Sequence, residues 1–169
     1  MCATKESGFG PLTVTDISPL IATYSRGPEL LRDAVRRASE SCWDAVPIAG
    51  KWSIRQVVCH LADSEIVYAD RMKRVQAEDN PTLFDADPDA FVPALHCSVR
   101  PPEVELNVIE AVRAHMLPIL RSCPVADFQR TGVHSTDGPM TLETLLERVT
   151  GHIPHHISFI EAKLGALGA

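Results

Sequence analysis

The segment Trp52-Ser-Ile-Arg-Gln-Val-Val-Cys-His-Leu-Ala-Asp-Ser-Glu65 announces a helix twice over. Ser53-Ile-Arg-Gln56 has the form of a capping box, in which the Ser53 hydroxyl accepts from the amide three residues on and Gln56 reaches back to the Ser53 amide. Beyond it Ile54, Val57, Val58, Leu61, Tyr68, Met72 and Val75 recur at helical spacing, and nothing breaks the run before Asp79-Asn-Pro81. The pattern predicts an amphipathic helix of about seven turns.

Upstream, Pro19 to Cys42 carries a second apolar stripe of Leu20, Ile21, Tyr24, Leu30, Leu31, Ala34, Val35 and Ala38. Gly27-Pro28 is expected to divide it and leave a main body at 28–42. Downstream, Glu78 to Pro102 holds five prolines and no sustained period, which reads as a long ordered loop. A third helix is expected from Glu103 to about Ser122, with Val104, Val108, Ala111, Val112, His115, Ile119 and Leu120 inward. Pro124 to Pro139 reads as another loop. Thr141 then caps a last helix, striped by Leu142, Leu145, Leu146, Val149, Ile153, Ile157, Ile160 and Leu164, with a kink expected at Pro154 and a frayed end over 165–169. Four helical patterns and no convincing strand predict an all-α fold, a four-helix bundle forming one domain over 1–169.

Composition narrows the partners. The 169 residues are 45% hydrophobic, enough for one substantial core, and the net charge of −6 with interleaved acids and bases gives no basic stripe for a nucleic acid backbone. Residues 1–10 lack a secretion signal or organelle presequence, and no apolar run reaches the roughly 20 residues of a membrane span, so a soluble, cytoplasmic protein is expected. Five scattered cysteines without a Cys-x-x-Cys pair read as reduced thiols.

Seven histidines are present, and three stand out: His60 on the second helix, with His152 and His156 in Gly151-His-Ile-Pro-His-His156. Histidines four apart share one helix face, and a third from a neighbouring helix would complete a three-nitrogen site with an open coordination position. Such a site suits zinc or nickel, and its open position can activate a water for hydrolysis or hold a thiolate as nucleophile.

The Trp52–Ser64 motif, a long variable centre and the late Gly-His-x-x-His-His156 together resemble the DinB-like superfamily and, within it, the YfiT-like metal-dependent hydrolases. The resemblance implies an up-down-down-up bundle with 78–102 as its crossover. It also implies a divalent metal, nickel or zinc, on His60, His152 and His156. Relatives that act as thiol-dependent transferases or isomerases imply a low-molecular-weight thiol as a second cofactor, and the resemblance makes a homodimer plausible. The family often carries a polar residue three positions after the last ligand, where this chain has Phe159.

Around the histidines, Asp63 lies one turn from His60 and is the candidate to orient an imidazole or accept a proton. Ser64 and Arg71 share the His60 stripe at plus four and plus eleven and are candidate contacts to a small-molecule substrate. Glu65 is expected at the surface, His155 off the ligand face, Cys59 as a small buried residue and Trp52 as packing at a bundle end; His96, His115 and His134 are isolated, with His115 read as a core residue. Two non-enzymatic readings compete with a metal-dependent hydrolase or thiol transferase: a metal-binding or stress-related bundle, and a structural dimerisation module.

Overall fold

A computed structural model describes residues 16–169; the expectations for residues 1–15 and Cys2, and the start of the 1–169 domain, lie outside them. Five helices occur: α1 (Ser18–Val35), α2 (Ile54–Ala77), α3 (Pro88–Ala94), α4 (Pro102–Ser122) and α5 (Leu142–Leu167). The four long ones form the bundle. α1 packs on α4 and α5, α2 packs on the same pair, and α1 and α2 sit across the diagonal.

Contacts at the two ends fix the directions. One apolar cluster joins Ile17 and Ile21 at the start of α1 to Met72 and Val75 late in α2, Met116 and Leu120 late in α4, and Leu142 and Leu145 at the start of α5. The other joins Leu31, Val35, Ile54, Val57, Leu106, Ile109, Ile160 and Leu164 from the opposite ends. α2 and α4 therefore run parallel, against α1 and α5, which is the up-down-down-up order. Parallel neighbours need a long connection, and 78–101 supplies it, with the three-residue 3₁₀ turn Cys97–Val99 and α3 on the way. No helix of the described residues is long and apolar enough to cross a membrane.

The α2 capping box forms as read: the Gln56 amide donates to Ser53 Oγ at 3.2 Å and the Ser53 amide to Gln56 Oε1 at 2.8 Å. Three expectations about helices need correction. α1 does not divide at Gly27-Pro28 but runs to Val35, and Cys42 lies in a separate 3₁₀ turn. A proline at 28 removes the amide that would bond the Tyr24 carbonyl. That carbonyl instead accepts from Arg113 Nη1 of α4 at 2.6 Å. A methyl group at Gly27 would overlap the same guanidinium, so the glycine makes room for it. α5 continues through Pro154 and, in place of the frayed end expected over 165–169, is helical to Leu167 and ends on Gly168, whose positive φ of 72° lets its amide donate to the Gly165 carbonyl.

The phase of α4 is the third correction. Its buried residues are Glu105, Leu106, Ile109, Arg113, Met116 and Leu120, whereas Val104 and His115 face solvent. Two charged residues belong to the inward face, and a stripe drawn through apolar residues alone therefore rotates onto the wrong one. Arg113 is 1% exposed between the two apolar clusters. It donates to Glu65 Oε1 from Nε at 2.9 Å and Nη2 at 2.5 Å, to Tyr24 O, and to Val149 O at 2.8 Å, and it stacks 4.4 Å from the Tyr24 ring centre. One guanidinium thus ties all four bundle helices, and Glu65, expected at the surface, is its buried partner.

Strands were not expected. A small sheet of order β1-β2-β3 joins β1 (Thr82–Leu83) to β2 (Thr131–His134) in parallel and β2 to β3 (Gly138–Thr141) in antiparallel register, Thr131 opposite Thr141 and His134 opposite Gly138. The elements are two to four residues long, too short to establish a period of two. The sheet closes one side of the cleft beside α2, with the hairpin turn 135–137 at its rim.

Candidate metal centre and cavity

His60 and the pair His152 and His156 are brought together because α2 and α5 pack antiparallel with their histidine faces opposed. His60 Nε2 lies 3.0 Å from His152 Nε2, which lies 3.1 Å from His156 Nε2, and the three residues offer ligand atoms all within 4.8 Å of one another. Metal–nitrogen bonds of 2.0–2.1 Å place adjacent nitrogens roughly 3.0–3.4 Å apart, and the two separations through His152 have that spacing.

Burial is the largest influence on each ring. It pulls the His152 pKa down to about 3 and that of His156 to about 4, with the neighbouring histidines adding to the depression, and it lowers His60 while the Asp63 and Asp89 charges oppose it. Neutral imidazoles are the form that ligates. The buried Nδ1 atoms of His152 and His156 have no partner, and the Nε2 atoms have only one another. A shared cation would satisfy all three lone pairs, so the residues fit the group. Trp52 packs 5.1 Å from the His60 ring centre, which makes it a wall of the site as well as core packing.

Two cavities meet at this cluster. The first, about 250 Å³, is lined by His60, His152, Asp63, Ser64 and Arg71 from the helices and by Asp85, His134 and Asp137 from the sheet side. All three sequence-chosen polar residues therefore border the cavity onto which two of the histidines open. The second, about 320 Å³, reaches His156 from the other side between Trp52, Val57, Phe159 and Lys163, and is mostly apolar. Phe159 lies 5.6 Å from the His156 ring centre, an apolar wall at the position where the resemblance suggested a polar contact.

The carboxylates are already engaged. Asp63 accepts both prongs of Arg100, at 2.9 and 2.8 Å, and Arg100 also holds Glu105, tying the end of the crossover to α2 and α4. Glu65 points away from the cavity to Arg113. Cys59 is fully buried, and burial beside Cys97 pushes its thiol up to about 12, so it is no nucleophile. His155 is exposed, as are His96 and, against expectation, His115.

His134 is the residue that sequence reasoning passed over. It is 5% exposed at the end of β2, and its Nδ1 accepts from the hydroxyl of Thr136 at 3.0 Å and the amide of Asp137 at 3.3 Å. An accepting Nδ1 leaves the proton on Nε2, which faces Asp85 Oδ1 at 3.8 Å. No signal in the residue types marked it, because the buried positions of Thr131-Gly-Val-His134 are Gly132 and His134 while the apolar Val133 is exposed.

The chain belongs to the DinB superfamily, whose family model matches residues 23–160. Among its relatives, a protein of Bacillus subtilis named "Putative metal-dependent hydrolase YfiT" is 30% identical over 134 residues, 79% of this chain and 75% of that one. A protein of Oceanobacillus iheyensis with the same type of name is 28% identical over 151 residues, 89% of this chain and 87% of the relative. The solved structure of YfiT, described as having an unusual four-helix bundle topology, superposes with a TM-score of 0.83 at 25% identity, covering 98% of this chain and 94% of that one. A mycothiol-dependent maleylpyruvate isomerase shares the fold at 12% identity and a TM-score of 0.68, covering 88% and 62%.

Proposed function

We propose that the protein is a metal-dependent enzyme acting on a small molecule, with His60, His152 and His156 as the ligands of a zinc or nickel ion and the polar cavity as its substrate pocket. The observation that carries this reading is the convergence of three Nε2 atoms from two helices, with His60 and His152 of the three lining the polar cavity. A divalent cation there supplies Lewis acidity to a water or a thiol at its remaining position. The names of the relatives favour the hydrolytic form. A low-molecular-weight thiol as co-reactant is the second form, and the apolar cavity beside His156 offers separate room for one.

The chain's own residues divide the remaining work. α2 and α5 hold the imidazoles in place before any ligand arrives, so little ordering cost attends binding. Asp63 has acceptor sites beyond those used by Arg100, since a carboxylate offers about four lone pairs. It orients the attacking molecule at the cavity wall and biases His60 electrostatically. Ser64 and Arg71 bind substrate. The Trp52 and Phe159 rings keep bulk water from the His60 and His156 sides.

Untagged protein supplied with Zn²⁺ or Ni²⁺ is expected to hold one ion per chain by elemental analysis after desalting. His152→Ala and His156→Ala should each lose it while retaining helical circular dichroism. Equal metal content in wild type and His152→Ala would refute the site. Failure of the loaded protein to turn over ester, amide or thiol-plus-electrophile panels, with its metal intact, would instead favour a non-catalytic metal-binding bundle.

A further inference from the structure

Taking the cavity as the substrate pocket, we infer that Arg71 is the seat for a carboxylate, so that the substrate is a small carboxylic acid whose reacting group lies toward the three histidines. The charges around the pocket single Arg71 out. Asp63 is held by Arg100, Asp137 accepts from Arg148 Nη1 at 2.6 Å, and Asp85, which faces only the neutral His134 at 3.8 Å, is half-exposed to water and outside ion-pair reach of Arg71. Arg71 is 7% exposed and makes no ion pair among the described residues. Among the described residues its only hydrogen bond runs from Nη2 to the Phe84 carbonyl at 2.5 Å, and its buried Nε has no partner.

Buried guanidinium groups are ordinarily paired, because withdrawing a full charge from water is costly unless an opposite charge answers it. Here the answering charge is missing at a position that borders a cavity. The Phe84 carbonyl, just after β1, and the Tyr68 ring, 5.3 Å from the guanidinium carbon, hold the group in place without neutralising it. A planar donor fixed in this way is matched by a carboxylate.

Placement along α2 adds direction. Eleven residues separate His60 from Arg71, about 16 Å of helix axis. Both side chains lean toward the N-terminus of α2, and the longer Arg71 reaches further back than His60 leans away, which shortens the gap. A ligand bridging the two therefore has its carboxylate at one end and its reacting group at the other, and about 250 Å³ admits only a small molecule. The three lining aspartates against two lining arginines make the pocket less hospitable to a dianion such as phosphate than to a single carboxylate.

The test titrates full-length protein, metal-free and Zn²⁺-loaded, with succinamate, the neutral succinamide and inorganic phosphate. The side-chain ¹⁵N–¹H resonance of Arg71 is followed alongside calorimetry. Succinamate is expected to shift that resonance and to bind roughly ten- to a hundredfold tighter than succinamide. Arg71→Gln should abolish the difference and Arg71→Lys should retain part of it. An unmoved Arg71 resonance, equal affinity for acid and amide, or phosphate binding tighter than succinamate overturns the proposal. If Arg71→Gln does not fold, the wild-type resonance and Arg71→Lys decide. Arg71-dependent binding in the metal-free protein does not require the histidine ligands, so its failure and that of the metal site are distinguishable.

Discussion

Arg113 and Glu65 show how strongly one charged pair can govern a helical bundle. Their side chains are 1% and 0% exposed, and Arg113 offers donors to three helices besides its own. Removing one partner leaves an uncompensated buried charge, which costs about 3–5 kcal/mol. Arg113→Ala is therefore expected to lower stability by about that amount in urea unfolding. Arg113→Met combined with Glu65→Leu, which removes both charges, should cost less than the sum of the two single changes. Additive losses would show that the pair is not coupled. The same residues explain a misreading: Glu65 looked like a surface residue and Arg113 drew no notice, because a single chain shows a charge but not its partner.

At the scale of elements, legibility followed length. α2 was readable because a capping box and a long apolar stripe agree over many turns, and the two histidine-bearing segments were placed on helices for the same reason. The strands were illegible because they are two to four residues long, and β1 in addition pairs with a segment about fifty residues away. His134 was lost with them. Asp63, Ser64 and Arg71 were found through their helical offset from His60, but their company in the cavity depends on the sheet and crossover. Gly27 is the sharpest test of element against context. Glycine inside a helix normally costs about 1 kcal/mol relative to alanine. Gly27→Ala is nevertheless expected to destabilise the protein, since the methyl would displace the Arg113 guanidinium. A raised melting temperature in Gly27→Ala would show that the close approach is relieved at no cost.

For the whole molecule, the parallel neighbours α2 and α4 set both the cost and the use of the fold. They demand the long 78–101 connection, and that segment carries β1 and Arg100 and supplies the cavity wall facing the histidines. The three clustered histidines come from α2 and α5, the elements packed most continuously through both apolar clusters, while the facing wall of the cavity comes from short strands and turns.

The guanidinium seated in the gap left by Pro28 also constrains how the sequence can change. In a lone helix, replacing an internal proline by alanine gains about 3 kcal/mol. In this chain the Tyr24 carbonyl that would receive the restored amide is already occupied by Arg113. Pro28→Ala should gain less in wild type than in an Arg113→Met background, where the carbonyl is otherwise orphaned, and paired melting curves of the four chains would measure the difference. Equal gains in both backgrounds would remove the linkage. If it holds, Gly27, Pro28 and Arg113 form an epistatic triplet: the order in which substitutions arise decides whether each is harmful, and a lineage that loses the arginine first can recover by losing the proline.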